Sequence, residues 1–298
     1  MIKRIYISLF LSAFALLSIA QQDYTQMAYK FYQENNFVKA AQYSDTSIIN
    51  EKENKLAFTW HVRGYVYKEY YKNIDKQNNY SQARLKSIEA FSKSIELDAE
   101  NQFKDNNTKN LEYFANTFYN DAVKSLTPES YIKSEEFYNT HKKILSDNNI
   151  KTDFKKSDVE YYNAMATVMV KAYNRLDNET DKYFEKAIEF YNKVLSIDEE
   201  NCLAQYQIGI LYYNRGVDII LSLEDTAELE KVIAAQEKLA QYMSLSEPHL
   251  KKAWDIFKSG KECKNVSEII EGLKGINYQR QNTQEMQYWE KIQKQYKD

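Results

Sequence analysis

From Tyr183 to Gly216 apolar residues recur at the spacing of one helical face, stop, and then recur again. Phe184, Ala187, Ile188, Tyr191, Val194 and Leu195 form the first set, and Leu203, Ile208, Gly209, Leu211 and Tyr212 the second. Steps of three and four residues put each set on one stripe of an α-helix. Ser196 to Asn201, polar and acidic, lies between them as a turn. The pattern predicts an amphipathic helix, a short turn and a second amphipathic helix within 34 residues.

The same phrase returns in stretched form along the chain. A first copy from Tyr24 to Asn50 carries Met27, Ala28 and Phe31, then Ala40 and Ser47. A second places Trp60, Gly64 and Tyr67 in one helix and Ser87, Phe91 and Ser94 in the next, closed by a turn from Glu96 to Asn101 that pairs with the Ser196–Asn201 turn. A third uses Leu111, Phe114, Ala115 and Phe118, then Ser134 and Tyr138; Thr127 followed by Pro128 predicts where its second helix begins. Ser157 with Glu160 predicts a capping box opening the fourth, with Tyr162, Met165, Ala166 and Met169 packing behind it. After Tyr212 helix signals continue to about Leu221, and Ser222 or Asp225 offers a new start. Leu229, Ile233, Leu239, Met243, Leu250, Ala253 and Phe257 then run to Gly260, which predicts a long projecting hairpin, about 18 Å if a dozen residues are added to each helix. Pro248 predicts a kink or break near Ser246. The last segment yields a helix through Ile269, Ile270, Leu273 and Ile276, and a capping helix through Met286, Trp289, Ile292 and Tyr296.

These slots resemble the tetratricopeptide repeat family: small Ala187, aromatic Tyr191, the acidic turn, Gly209 and Tyr212, and the Trp60, Gly64, Tyr67 spacing. The resemblance implies an all-α fold, an α-solenoid of antiparallel helix hairpins with extended hairpins and a C-terminal capping helix. It divides residues 21–298 into one domain of about six repeats, at 22–50, 54–101, 106–148, 157–200, 201–260 and 264–298. Anchored on Ala28, Gly64, Ala115, Ala166 and Gly209, the copies are spaced 36, 51, 51 and 43 residues. These exceed the family period, so the extra length belongs to extended hairpins and a regular superhelix is not implied. In this family the first helices of successive repeats line a concave groove for peptides or partner proteins. By resemblance the groove residues here are Tyr29, Tyr32, His61, Tyr65, Glu112, Asn116, Tyr119, Asn163, Thr167, Tyr206, Ile210 and Tyr213. Tyrosine combines a large contact area with a polar tip, which suits peptide recognition; the alternative is that a chain with 26 Tyr places them everywhere. Family members that clamp a C-terminal carboxylate use paired Lys and Asn on these faces, and no such pairing stands here.

Composition changes this picture little. Six Gly and two Pro leave few breakers, in keeping with a mostly helical chain. The start MIKRIYISLFLSAFALLSIAQQ, with Lys3 and Arg4 before an apolar run and small Ser18 and Ala20 before Gln21, reads as a signal peptide spanning 1–20. The alternative, an uncleaved anchor, needs roughly 20 apolar residues, more than Ile5 to Ile19 supply. Cleavage after Ala20 leaves 278 residues and moves the formal charge from −3 to −5, an acidic balance that argues against nucleic acid as partner. The expectation is an exported protein, periplasmic or secreted, of bacterial origin, without stable membrane insertion. Cys202 and Cys263 then permit a disulfide, the alternative being two unpaired thiols.

Chemistry is sparse. His61, His141 and His249 fall in three different repeats with no second ligand at metal spacing, so no metal and no cofactor are expected. The sequence carries no Gly-rich phosphate loop, no nucleophile elbow and no HExxH. Pairs such as Glu189 with Lys193 read as exposed helix pairs. Asn178–Thr180 matches a glycosylation acceptor but reads as a helix cap. A non-enzymatic scaffold binding a protein or peptide follows; the alternatives are an assembly factor for an envelope complex and a soluble small-ligand carrier.

Overall fold

The structure, a computed structural model, describes residues 23–174 and 180–296. The segments read as a signal peptide and as the Asn178 cap lie outside or at the edge of them. Among the described residues there are twelve α-helices: α1 Tyr24–Gln33, α2 Phe37–Ser47, α3 Ala57–Asn73, α4 Gln82–Leu97, α5 Lys104–Lys124, α6 Tyr131–Asp147, α7 Lys155–Tyr173, α8 Thr180–Ile197, α9 Cys202–Leu221, α10 Leu229–Lys258, α11 Val266–Gln279 and α12 Thr283–Gln295. They form two compact units: residues up to Ser125 with Ile132–Thr152, and Leu126–Tyr131 with Asp153 onward. The first therefore contains α1 to α5 and nearly all of α6, and the second α7 to α12. Each is a stack of antiparallel helix hairpins of the α-solenoid kind.

Side-chain caps start many of these helices. Asp23, Asn36, Ser81, Asn201 and Asn282 accept backbone N–H bonds from the residue three positions on, satisfying donors that a first helical turn leaves unpaired. The two turns that look alike in sequence resolve differently. Asn101 has φ 57° and Asp98 accepts from the amides of Gln102, Phe103 and Lys104, whereas Asn201 is itself the cap of α9. Other predicted starts move: α6 begins at Tyr131 and Thr127 closes a preceding turn through Ser130 N–H. α7 begins at Lys155, two residues before Ser157, whose hydroxyl donates back to the Phe154 carbonyl instead of capping.

Serines in the small slots hold the hairpins together. Ser94 and Ser87 of α4 donate to the carbonyls of Ala57 and Gly64 of α3, at 2.8 and 2.7 Å. Ser134 of α6 donates to Ala122 of α5 and Ser246 of α10 to Gly209 of α9, both at 2.7 Å. In α3 and α4 one number rises as the other falls, which fixes the antiparallel register. The close approach requires glycine: a Cβ on Gly64 would stand 2.5 Å from the ring of Phe91, and one on Gly209 2.7 Å from Leu250. Gly64→Ala is accordingly expected to destabilise the first unit by about 1–3 kcal/mol through overpacking, read as a lower unfolding midpoint in urea.

In the second unit α10 runs unbroken through Pro248, so of the expected kink or break the break is corrected. Pro248 is exposed, so its ring meets solvent, while Met243, Ser246 and Leu250 on the other face are buried and hold the helix on both sides of the missing N–H. The hairpin tip keeps its apolar residues outside: Leu221 is 75% exposed, Leu229 73% and Ile233 46%. α10 starts at Leu229, not at Ser222 or Asp225. Below the tip the core gathers Leu250, Trp254, Ile269, Leu273, Ile276 and Trp289. Trp289, the buried residue of α12, meets Trp254 edge-on with centroids 5.5 Å apart and closes the core, as a capping helix should. Cys202 and Cys263 form a disulfide, their Cα atoms 5.4 Å apart.

Candidate binding site

In the first unit α1 and α3 lie against each other with their aromatic faces turned to a common groove. Buried Glu53 helps set this packing: its carboxylate accepts from the amides of Tyr24 and Thr25 and from the Thr25 hydroxyl at 3.2, 2.7 and 2.6 Å. Thr25 in turn bonds Thr59 on α3 at 2.9 Å. One turn along, Tyr29, Tyr32, Phe58, His61, Val62 and Tyr65 line a cavity of about 340 Å³. The Tyr29 and Tyr32 rings are nearly parallel with centroids 6.3 Å apart. Phe58 stands 6.4 Å from Tyr29, and Tyr65 6.4 Å from Tyr32, both steeply inclined. His61 packs on Tyr65 at 5.0 Å and on Phe103 at 4.5 Å.

Polar groups at this groove are held in defined states. His61 Nδ1 bonds Asn107 Oδ1 at 2.7 Å, and burial lowers the His61 pKa, which keeps the ring neutral. Burial, then the charge of Glu69, raises the Tyr32 pKa, so its hydroxyl stays a donor. His249 in the second unit bonds Gln205 Oε1 at 2.7 Å and is likewise lowered by burial. With folded pKa values below the ordinary 6.5, both histidines bind protons more readily in the unfolded chain. Their contribution to stability is therefore present above pH 6.5 and lost as pH falls from there through the folded values. The expected result is a thermal midpoint that drops between about pH 7 and 5, and a His61→Gln, His249→Gln double variant whose midpoint changes less over that interval.

Four of the residues expected in a groove, Tyr29, Tyr32, His61 and Tyr65, are thus brought together. The others are not. Glu112 and Asn116 are exposed on α5, outside this cavity's lining. Tyr119 is half-buried against Tyr138 and His141, 6.1 and 5.4 Å away. On α7 Thr167 is exposed and donates to the carbonyl of Asn163, which is half-buried. Tyr206 is 7% exposed and sits in the core, and half-buried Ile210 and Tyr213 pack against that core. A Cβ on Gly272 of α11 would lie 3.7 Å from Ile210, and Gly275 sits directly against the Tyr213 hydroxyl. The last hairpin covers this face, which corrects the expectation that Tyr206 and Ile210 meet a partner.

Sequence reasoning missed Phe58 and Val62 in the lining, and Phe103 behind His61. Phe58 was findable: it precedes His61 by three and Tyr65 by seven, one stripe of α3. Of a cleft of about 650 Å³ in the second unit, sequence reasoning named only Tyr213 as a site residue; Val217, Ile220, Leu239, Met243 and Met286 belong to its apolar lining, with Lys274 among the polar groups. Among the described residues no group of three or more His, Cys, Asp or Glu is placed to hold a metal ion, and no helix is long and apolar enough to cross a membrane.

No family model matches the chain, and no curated protein matches it. Among solved structures it is similar to a monomeric mutant of IFIT1 with m7Gppp-AAAA, at 14% sequence identity and a TM-score of 0.33, over 90% of this chain and 58% of that one. The chain thus spans little more than half the length of that structure. The fold assignment rests on the helix hairpins themselves.

Proposed function

We propose that the protein is a non-enzymatic scaffold that binds a partner protein or peptide in the α1–α3 groove. The observation that supports this reading most is the convergence of Tyr29, Tyr32, Phe58 and Tyr65 on one open, half-exposed cavity. Large aromatic side chains around a pocket are the residues that dominate interface energies, because they bury area with few rotors to freeze.

We further place its action in an oxidising compartment outside the cytoplasm, a proposal that the apolar leader and the Cys202–Cys263 bond support. The test is crosslinking and affinity capture from the native envelope with residues 21–298. A Tyr29→Ala, Tyr32→Ala, Tyr65→Ala variant that keeps its helical signal is expected to bind the captured partner at least about thirtyfold more weakly. Unchanged affinity would remove the groove from the account. A second reading, a small-ligand carrier, draws on the 650 Å³ cleft of the second unit, a volume within the range of ligand pockets. It predicts a metabolite that raises the thermal midpoint without any protein partner.

A further inference from the structure

Elsewhere in this chain several aromatic rings are occupied by its own cations. Arg63 lies over Tyr67 at 4.6 Å, Arg84 over Phe118 at 3.3 Å and Lys133 over Tyr80 at 3.9 Å. In the α1–α3 groove no cation of the described residues lies over Tyr29, Tyr32 or Phe58. Only Lys68 approaches, 5.9 Å from the Tyr65 ring and bonded to Asn110 Oδ1. Two buried carboxylates, outside the lining itself, are bonded to residues that neighbour it. Glu53 is tied to Thr25, one turn from Tyr29, and accepts only from backbone amides and a hydroxyl. Asp98 accepts from the amide of Phe103, the ring that packs on His61, and its other donors are backbone amides too. No Lys or Arg of the described residues pairs with either, so neither negative charge is cancelled by a cation. Glu69, by contrast, is paired with Lys72.

Ring faces carry negative potential and attract cations, most strongly where water is excluded. A groove with unoccupied rings, two uncancelled carboxylates beside it and tyrosine hydroxyls on its walls is complementary to a positive charge. A guanidinium fits it better than an ammonium: it is planar, weakly hydrated, stacks on rings and offers several donors, while the neutral His61 leaves Nε2 as an acceptor once Nδ1 is bonded to Asn107.

We propose that the α1–α3 groove takes the guanidinium of an arginine carried by the partner polypeptide, stacked on the tyrosine rings. This rests on the reading of the groove as a partner surface. Titrating the full chain with Ac-Gly-Arg-Gly-NH2 and with the neutral citrulline analogue, read through the ring signals of Tyr29 and His61, which line the same cavity, tests it. The expected result is saturable binding of the arginine peptide, about tenfold tighter than the citrulline peptide, and abolished in Tyr32→Leu, Tyr65→Leu. Equal binding of the two peptides, or none by either, overturns the cation site. Choline bound more tightly than the arginine peptide overturns the polypeptide source and makes the ligand a small quaternary ammonium ion. Failure here is separable from failure of the scaffold reading. A captured partner that is lost on the tyrosine-to-alanine variant while the peptides are not discriminated refutes only the arginine. Discrimination of the peptides with partner capture indifferent to that variant refutes the groove's role in partner binding and leaves the cation site standing.

Discussion

Replacing Asp121 by alanine is expected to cost the first unit about 3–5 kcal/mol, the largest effect we anticipate for a single side chain. Arg84 on α4 is fully buried and reaches Asp121 on α5 at 2.5 Å, bridging the second and third hairpins. Its guanidinium lies 3.3 Å from the Phe118 ring centroid, and its Nε and second terminal nitrogen have no hydrogen-bond partner. Asp121 is therefore the counter-charge for a cation that cannot reach water, and its removal leaves that charge uncompensated. With each kcal/mol worth about 2–4 °C in a unit of this size, the first unit should melt about 6–20 °C lower. The double replacement Arg84→Met, Asp121→Leu should recover most of the loss, because the charge and its partner leave together. An Asp121→Ala midpoint within a degree of the wild type would refute a role for the pair.

Reducing the Cys202–Cys263 bond should cost the second unit about 4 kcal/mol, from the entropy of closing a loop of 61 residues. The bond ties the start of α9 to the segment before α11, so it spans the whole projecting hairpin. Trp254 and Trp289 lie together in the core this clip restrains, and their fluorescence reports its unfolding. With dithiothreitol, or in Cys202→Ser, Cys263→Ser, that transition should fall by about 10 °C. Native protein in which a thiol reagent labels both cysteines, and whose transition ignores dithiothreitol, would contradict the bond.

Helices, their pairing and the sites of close approach were legible because each leaves a local trace. Apolar spacing marks a buried face whatever packs on it, and Gly64 and Gly209 mark where another chain segment leaves no room for a Cβ. The aromatic groove was legible in part for the same reason: Tyr29, Tyr32, His61 and Tyr65 share faces of neighbouring helices. Phe58 lies one turn before His61 on the same stripe of α3, so the same periodicity reaches it.

What the sequence by itself determined, then, is a chain of amphipathic helix hairpins with small residues at their crossings. Tertiary structure decided which faces remain open. Tyr206 and Ile210 occupy the same stripe positions as the groove tyrosines, yet α11, some sixty residues further on, covers them. Arg84 finds Asp121 across 37 residues, and Pro248 is carried within α10 because buried neighbours on both sides hold it. The physical reason is common to all three. Periodicity records that a face is apolar, while burial depends on which distant segment arrives to cover it, and that arrival has no signature in the spacing of the residues it covers.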